Sequence, residues 1–318
     1  MEINQNDNIK EFLKDNYNLD IIKVEHLKSG VMNDNYLIID KDKNKYIFRI
    51  YNYKAKEEVT FEIDILNYLN NTDFPNPIVL VAANQEAVLE FNNKPVIIYK
   101  FIPGDFIKNI TPELLYQTGQ VSGKLHKLLQ NFQPKINKPT WDPEDLKKLA
   151  ENNREEMIRR KFPRAEELMD FVQTELAKYN FPESLPKGIT HQDIKPENII
   201  VDNNLITGIV DFDNSYYGQL LHDITTTIIW TCFKDEKLNN DLLAAFLKGY
   251  NQERLMTEVE KEFLIPGLKW RLAREIFIGP FVTINFPELS RKRADYFINL
   301  YKKIEDSQIE KPLDKLFI

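Results

Sequence analysis

The first hundred residues alternate short apolar runs with polar turns, a pattern typical of β-strands. Five runs are rich in β-branched and aromatic residues, and they lie at 21–27, 35–40, 45–51, 77–83 and 95–101. We expect these runs to form one antiparallel sheet. After the third run, Val59, Ile63, Leu66 and Leu69 recur at steps of three and four residues. That spacing predicts a single helix inserted into the sheet.

Beyond the fifth run the apolar spacing becomes helical. Thr111 can cap a helix whose leucines form one stripe, and residues 144–179 and 236–305 also have the pattern of amphipathic helices. We therefore expect an α+β fold with two lobes. Residues 1–101 would form a small sheet-rich lobe, and residues 102–318 a larger and mostly helical one.

The composition of the chain limits the kinds of molecule that it can bind. The chain of 318 residues has a formal net charge of −7 and a pI of about 5.4, so it lacks the basic field that binds a nucleic-acid backbone. Its single cysteine, Cys232, excludes an intrachain disulfide and indicates a reducing compartment. The N-terminus lacks the pattern of a signal peptide, and no apolar run is long enough to span a bilayer. We expect a cytoplasmic protein that binds neither nucleic acid nor membrane.

One β-like stretch of the helical lobe is crowded with polar side chains: "THQDIKPENIIVDNNLITGIVDFDNS", residues 190–215. As a hairpin, it would carry Asn198 at the start of one strand and Asp211 at the end of the other, so both would lie at the same end of the pair. Asp193 lies on the preceding loop, within reach of the same point. Amide and carboxylate oxygens are ligands that magnesium prefers, and a further carboxylate can accept a proton.

The order His191-x-Asp193-x-x-x-x-Asn198, followed by Asp211-Phe212-Asp213, suits phosphoryl transfer from ATP. It resembles the signatures of the aminoglycoside phosphotransferase and choline kinase group of small-molecule kinases, which are relatives of protein kinases. "IIYKFIPGD" and "QVSGKLHKLL" also fit this group, so the resemblance covers nearly the whole chain. "LKSGVMNDNYLI", "FEIDILNYL" and "IIWTCF" are most similar to its homoserine kinase branch. The resemblance implies a bilobal protein-kinase-like fold, with ATP as co-substrate, Mg²⁺ as cofactor and a small-molecule hydroxyl as acceptor.

By this resemblance Asp193 is the catalytic base, and Asn198 and Asp211 hold magnesium. His191 supports the loop and takes no part in proton transfer. Asp223 is similar to the acid of the family that hydrogen-bonds the catalytic loop from the following helix.

The small lobe would supply the residues that bind ATP. Arg49, in the third strand, occupies the place where protein kinases carry a phosphate-binding lysine, and a guanidinium can also grip phosphate. Glu62 or Glu58 on the inserted helix could pair with Arg49, and we prefer Glu62. The other interpretation of Glu62 is an exposed helix acid.

Two further nucleotide contacts are expected from the resemblance. Ser29 and Gly30 belong to a reduced glycine loop that would contact phosphate. At the hinge between the lobes, the backbones of Lys100 and Ile102 would meet adenine.

The acceptor would lie on the helical lobe. Trp270, Arg271, Arg274 and Glu275 place an aromatic ring, two cations and an acid on one short helical segment. A hydroxy amino acid such as homoserine needs a cation for its carboxylate and an acid for its ammonium group. The alternative is an ordinary amphipathic helix with charge pairs along one face. Asp213 could help to bind metal or acceptor, or could be a solvated turn acid.

Other classes of function compete with this one. His191 and Asp193 with His222 and Asp223 would suit a metallohydrolase, although that leaves Asn198 unexplained. A catalytically inactive kinase fold would act as a binding module. Among kinases, choline or ethanolamine would favour an aromatic cage, and an aminoglycoside would favour an acidic cleft.

Overall fold

The computed structural model describes residues 5–27, 32–136, 165–234, 236–282 and 287–306, with positions 138, 148, 151, 154, 155, 158 and 159. The chain forms two compact units. The first comprises Met1–Phe106, Asn131–Asn137 and Asn198–Asp213, and the second comprises Ile107–Gln130, Lys138–Glu197 and Asn214–Ile318.

The first unit contains a five-stranded antiparallel sheet in the order β1-β2-β3-β5-β4. Its strands are β1 (Ile21–Leu27), β2 (Asn33–Asp40), β3 (Lys45–Tyr51), β4 (Leu89–Phe91) and β5 (Lys94–Lys100). The central strand β3 is buried along almost its whole length. Asn92 and Asn93 both have left-handed backbones, with φ of 52° and 60°, and they form the tight turn between β4 and β5. The predicted antiparallel sheet is confirmed.

The strand predicted at 77–83 is wrong. The segment makes only an isolated bridge, between Val79 and Tyr99. Pro77 has no N–H to pair with a neighbouring strand, and Gln85, with φ of 68°, turns the chain back toward Ala82. The strand β4 pairs with the same neighbour, β5, instead.

The first unit also contains two helices. The helix α1 (Gln5–Tyr17) was not predicted, and it buries Ile9 and Leu13 in the sheet core. The helix α2 (Lys56–Leu69) is the predicted insertion after β3, and it buries all four apolar positions that predicted it.

The polar-rich stretch contains the predicted hairpin, and the hairpin segment, Asn198–Asp213, belongs to the first unit. The strands β6 (Asp105–Phe106), β8 (Ile199–Asp202) and β9 (Leu205–Ile209) form a three-stranded sheet in the order β6-β8-β9. Gly104 precedes β6 with a φ of 130°, and a Cβ there would lie 2.5 Å from the carbonyl oxygen of Val201. Only glycine allows that approach.

The second unit is mostly helical, as predicted. Its described helices are α3 (Pro112–Leu128), α4 (Ala165–Leu176), α5 (Leu221–Thr231), α6 (Asn240–Glu253), α7 (Glu258–Glu262), α8 (Leu264–Val282) and α9 (Pro287–Asp306). Two antiparallel pairs of short strands accompany them: β7 (Lys187–Thr190) with β10 (Tyr216–Gln219), and β11 (Phe233–Lys234) with β12 (Lys237–Leu238). The side chain of Thr111 caps α3 as predicted, because it accepts a hydrogen bond from the N–H of Leu114.

Three glycines lie where α3 and α6 cross: Gly119, Gly123 and Gly249. A Cβ on Gly119 would lie 2.1 Å from the carbonyl oxygen of Phe246, and a Cβ on Gly249 would lie 2.0 Å from that of Tyr116. The two backbones therefore touch, and this crossing fixes α3 against α6 in the core of the second unit.

None of the helices within the described residues is sufficiently long and apolar to cross a membrane.

Candidate functional site

In the first unit, the hairpin β8–β9 positions Asn198 and Asp211. Ile199 pairs with Ile209, and the N–H of Val210 donates to the carbonyl of Asn198 at 3.0 Å, so Asn198 and Asp211 flank the same end of the hairpin. Asp211 has a left-handed backbone with φ of 73°. A non-glycine residue keeps such a conformation only where its surroundings hold it, often at functional sites.

Arg49 links this end of the hairpin to strand β3. Its Nη2 donates to Oδ1 of Asp211 at 2.5 Å and to Oδ2 of Asp213 at 3.1 Å. Asp213 also accepts from the side-chain amide of Asn33 at 3.0 Å, and its backbone carbonyl accepts from Lys54 Nζ at 2.5 Å. Asp213 is only 6% exposed. It is therefore a buried partner of Arg49, and not a solvated turn acid.

The predicted ion pair between Arg49 and Glu62 is wrong. Glu62 accepts a hydrogen bond from the hydroxyl of Tyr51 at 2.9 Å, while Nη2 of Arg49 pairs with Asp211 and Asp213. Glu62 is nevertheless buried, which excludes an exposed helix acid. Burial raises the pKa of Glu62 to about 7, although the nearby charge of Arg49 opposes the shift. The other candidate, Glu58, accepts from the backbone N–H of Ala55 at the start of α2.

The structure describes only some of the remaining residues that were expected to bind the nucleotide. The backbone N–H of Lys100 donates to the carbonyl of Ile78 at 2.9 Å, so this donor is not available to a nucleotide. Ile102 is partly buried and packs close to the position of Gly208. Ser29 and Gly30 lie outside the described residues.

In the second unit, Asp193 lies on the loop that follows β7. Its carboxylate forms an ion pair with Lys195 at 2.8 Å. Its backbone N–H donates to Nδ1 of His191 at 3.3 Å, and His191 is completely buried. The sequence analysis did not predict the pairing of Lys195 with Asp193, although a cation two residues after an acid could have indicated it.

Asp223, on helix α5, holds this loop by its backbone. Its carboxylate accepts from the N–H groups of His191 at 2.7 Å and Gln192 at 2.6 Å, and from Nε2 of His126 at 3.0 Å. Burial alone would raise the pKa of Asp223, but the hydrogen bonds and charge of His126 and His191 hold it below its ordinary value. Asp223 is therefore a buried carboxylate with its hydrogen-bonding capacity in use.

A chain of buried hydrogen bonds continues from Asp223 into the helical core. His126 Nδ1 lies 2.7 Å from the hydroxyl of Tyr250, which in turn accepts from Arg254 at 2.8 Å. Arg254 also donates to Glu260, at 2.9 Å. The sequence offers no signal for this role of His126, because its partners lie 97 and 124 positions away along the chain.

The four acceptor candidates on α8 are all buried. Trp270, Arg271, Arg274 and Glu275 are each at most 5% exposed, which excludes a solvated charged face. Both arginines contact Glu275, at 2.8 Å for Arg271 and 3.4 Å for Arg274. Arg271 also donates to the side-chain and backbone oxygens of Gln192, at 3.1 and 3.3 Å.

Arg274 has an unusual environment for an arginine. Burial and the positive charge of Arg271 lower the pKa of Arg274 to about 10, while Glu275 and Asp193 oppose that change. The negative charge of Asp193 therefore acts on Arg274 inside the second unit.

His222 is not placed as a metal ligand. Its ring stacks on Trp270 with 4.0 Å between ring centroids, and its Nδ1 lies 2.9 Å from the hydroxyl of Tyr216. Burial, Arg274 and Arg271 lower the pKa of His222 well below its ordinary value. Within the ranges that the structure describes, no group of three or more His, Cys, Asp or Glu side chains could hold a metal ion. The stacking also makes the Trp270 ring part of the core and not one wall of an open aromatic cage.

Comparison with known proteins gives consistent matches. The family model described as "Phosphotransferase enzyme family" matches residues 23–256. The homoserine kinase of Zymomonas mobilis is 25% identical over 271 residues, 84% of this chain and 83% of that protein.

Solved structures with the same fold include two kinases. An amicoumacin kinase in complex with AMP-PNP, Ca²⁺ and Ami has a TM-score of 0.72 at 18% identity, covering 94% of this chain and 92% of that one. A microcompartment-associated aminopropanol kinase has a TM-score of 0.67 at 17% identity, covering 92% and 94%. These likenesses confirm the predicted kinase-like class of fold.

Proposed function

Because this chain belongs to the phosphotransferase enzyme family, we propose that it transfers the γ-phosphate of ATP to the hydroxyl group of a hydroxy amino acid, with homoserine as the first choice. Membership of an enzyme family argues against both a metallohydrolase and an inactive binding module. The acceptor is the part of the proposal that rests on the geometry of this chain, because acceptor sites vary on a common fold.

Asp193 is the proposed general base. Its carboxylate is paired with Lys195 at 2.8 Å, which fixes the position of the side chain. His191 and Asp223 hold the loop that carries it. Proton acceptance by a positioned base contributes about 10²- to 10⁴-fold to the rate of such reactions.

Asn198 and Asp211 are the proposed ligands of Mg²⁺. Both offer oxygen atoms at the same end of one hairpin, and hard oxygen donors suit this ion. When bound, the metal would supply positive charge that neutralises the phosphates. Arg49 would add a second cation on that side, held in place by Asp211 and Asp213.

The observation that carries the acceptor class is a pair of buried arginines that share one glutamate, Arg271 and Arg274 with Glu275. Arginine binds a carboxylate through paired hydrogen bonds, so an acceptor that carries a carboxylate suits this segment. Arg274 and the proposed base Asp193 both belong to the second unit, so a carboxylate bound at Arg274 would lie in the unit that carries the base. Because both arginines already occupy Glu275, we do not assign it to the ammonium group.

The test is an ADP-release screen with magnesium-ATP across homoserine, serine, choline, ethanolamine and an aminoglycoside. We expect homoserine to be turned over. The matched substrate is 3-aminopropan-1-ol, which differs from homoserine only in lacking the carboxylate, and we expect a much higher KM for it. Arg274→Ala should remove most of that difference without raising the KM of ATP. Turnover of choline or an aminoglycoside, but not homoserine, would overturn the acceptor class and leave the kinase assignment standing.

A further inference from the structure

We propose that Arg271 is a positioning residue and does not bind the acceptor: together with Gln192 it forms a clamp on the residue that precedes Asp193. The two neighbouring arginines of α8 then have different roles. This inference rests on the proposed function, in which Asp193 is the base and Arg274 meets the acceptor.

Gln192 is held on several sides inside the second unit. Its backbone N–H donates to Asp223 at 2.6 Å, its carbonyl accepts from Nη2 of Arg271 at 3.3 Å, and its side-chain Oε1 accepts from Nη1 of Arg271 at 3.1 Å. Gln192 is 2% exposed and has a left-handed backbone, with φ of 70°. A non-glycine residue adopts this conformation at a cost, so it persists where the surrounding contacts impose it. The contacts from Arg271 and Asp223 are those that impose it here.

The guanidinium of Arg271 is largely committed to these contacts. Both terminal nitrogens donate to Gln192, and Nη2 also pairs with Glu275 at 2.8 Å. Nη2 takes part in two of these three contacts, and both edges of a guanidinium that can bind a carboxylate at two points use Nη2, so neither edge is open to an acceptor. Since arginine has donors only, it also fixes which end of the Gln192 amide faces it.

The clamp has a direct consequence for catalysis. Gln192 is bonded to Asp193, so its backbone angles set where the carboxylate of Asp193 lies. A displacement of a catalytic group by about 1 Å can cost a factor of about 10² in rate. Loss of Arg271 should therefore lower kcat, whereas loss of Arg274 should raise the KM of the acceptor.

The experiment compares Arg271→Ala, Gln192→Ala and the double variant, using the acceptor that the wild type turns over. Each single variant should lower kcat about 10- to 100-fold, with the acceptor KM changed less than about threefold. The double variant should be no worse than Arg271→Ala alone, because Arg271→Ala already removes the side-chain contact that Gln192→Ala removes. Arg271→Lys keeps the charge beside Glu275 but loses the two-point grip, so it should also lower kcat while the protein stays folded. The control is Lys269→Ala on the same helix, which should leave both constants unchanged.

A second variant separates positioning from stability. Gln192→Gly relieves the left-handed strain, so its melting temperature should equal or exceed that of Gln192→Ala while its kcat stays low. Two results would overturn the clamp: a raised acceptor KM with normal kcat in Arg271→Ala, or additive losses in the double variant.

Hydrogen–deuterium exchange of residues 187–195 tests the clamp without any acceptor. Exchange there should be faster in Arg271→Ala than in wild type, and unchanged exchange would overturn the clamp. Absence of turnover with every alcohol in wild type would instead overturn the proposed function, so the two failures can be told apart.

Discussion

Nη2 of Arg49 lies 2.5 Å from Oδ1 of Asp211, so the cation expected to hold phosphate contacts an acid expected to hold metal. The same nitrogen lies 3.1 Å from Asp213, and Arg49 is only 6% exposed. Burial alone would lower the pKa of Arg49, but the charge of Asp211 and its neighbours raises it well above its ordinary value. Arg49 is thus a permanent charge that both acids depend on.

The first prediction follows from that dependence. Arg49→Ala would leave the two aspartates without their shared cation, so it should lower the free energy of unfolding by about 3–5 kcal/mol and raise the KM of ATP. Arg49→Lys keeps a charge at the same place and should retain most of the stability and of the activity. Urea unfolding and steady-state kinetics measure the two effects. Equal damage from Ala and Lys would show that packing, and not charge, is what Arg49 supplies.

The sequence predicted the structure correctly where the local spacing of apolar residues determines the secondary structure. The strand pattern fixed which ends of β8 and β9 coincide, and therefore that Asn198 and Asp211 flank one end. It failed where partners are distant along the chain: Arg49 pairs with acids more than 160 positions away, and His126 with Asp223 across 97. Periodicity contains no information about such pairs, because any nearby acid on α2 is an equally plausible partner. The helix α1 was missed because few of its positions are apolar.

The second prediction separates the proposed base from a proposed metal ligand. Asp193→Asn keeps the shape of the side chain but cannot accept the proton, so it should lower kcat by about 10²- to 10⁴-fold with little change in the KM of ATP. Asp211→Ala should lower kcat and also raise the magnesium concentration needed for half-maximal activity. Kinetics across a magnesium titration measure both. Near-normal turnover in Asp193→Asn would end its assignment as base.

The third prediction concerns the hydrogen-bond chain behind the loop. Tyr250→Phe removes the hydroxyl that lies between His126 and Arg254, so buried Nδ1 of His126 loses its partner while Arg254 keeps Glu260. We expect a loss of about 1–3 kcal/mol in the free energy of unfolding. The matched control is Tyr116→Phe, whose hydroxyl bonds to Gln252 at the surface of the same helix pair and should cost much less. A neutral Tyr250→Phe would show that the chain does not stabilise the fold.

The fourth prediction tests the crossing of α3 and α6. Gly249→Ala would place a Cβ 2.0 Å from the backbone carbonyl of Tyr116, which cannot move without shifting the helix. We expect destabilisation by about 1–3 kcal/mol or more, measured by thermal unfolding. Gly267→Ala on α8 is the control, because its Cβ would meet only side-chain atoms, the nearest at 3.1 Å. Similar melting temperatures for the two variants would mean that the backbones do not pack as closely as the structure shows.

The last prediction is a pH dependence that Glu62 imposes. Burial raises the pKa of Glu62 to about 7, against an ordinary value of 4.5, so the folded protein keeps a proton that the unfolded chain has lost. The stabilising contribution of Glu62 is therefore fully present below about pH 4.5 and is lost as the pH rises through about 7.

Glu62→Gln still accepts the Tyr51 hydrogen bond but carries no charge at any pH. Urea unfolding between pH 5 and pH 8 should show wild type losing stability relative to Glu62→Gln as the pH rises. The control is Glu57→Gln, because Glu57 is an exposed acid on the same helix. The free energy of unfolding of this variant should change with pH as that of wild type does. If the difference in the free energy of unfolding between wild type and Glu62→Gln stays constant across this range, Glu62 is already ionised in the folded protein at pH 5.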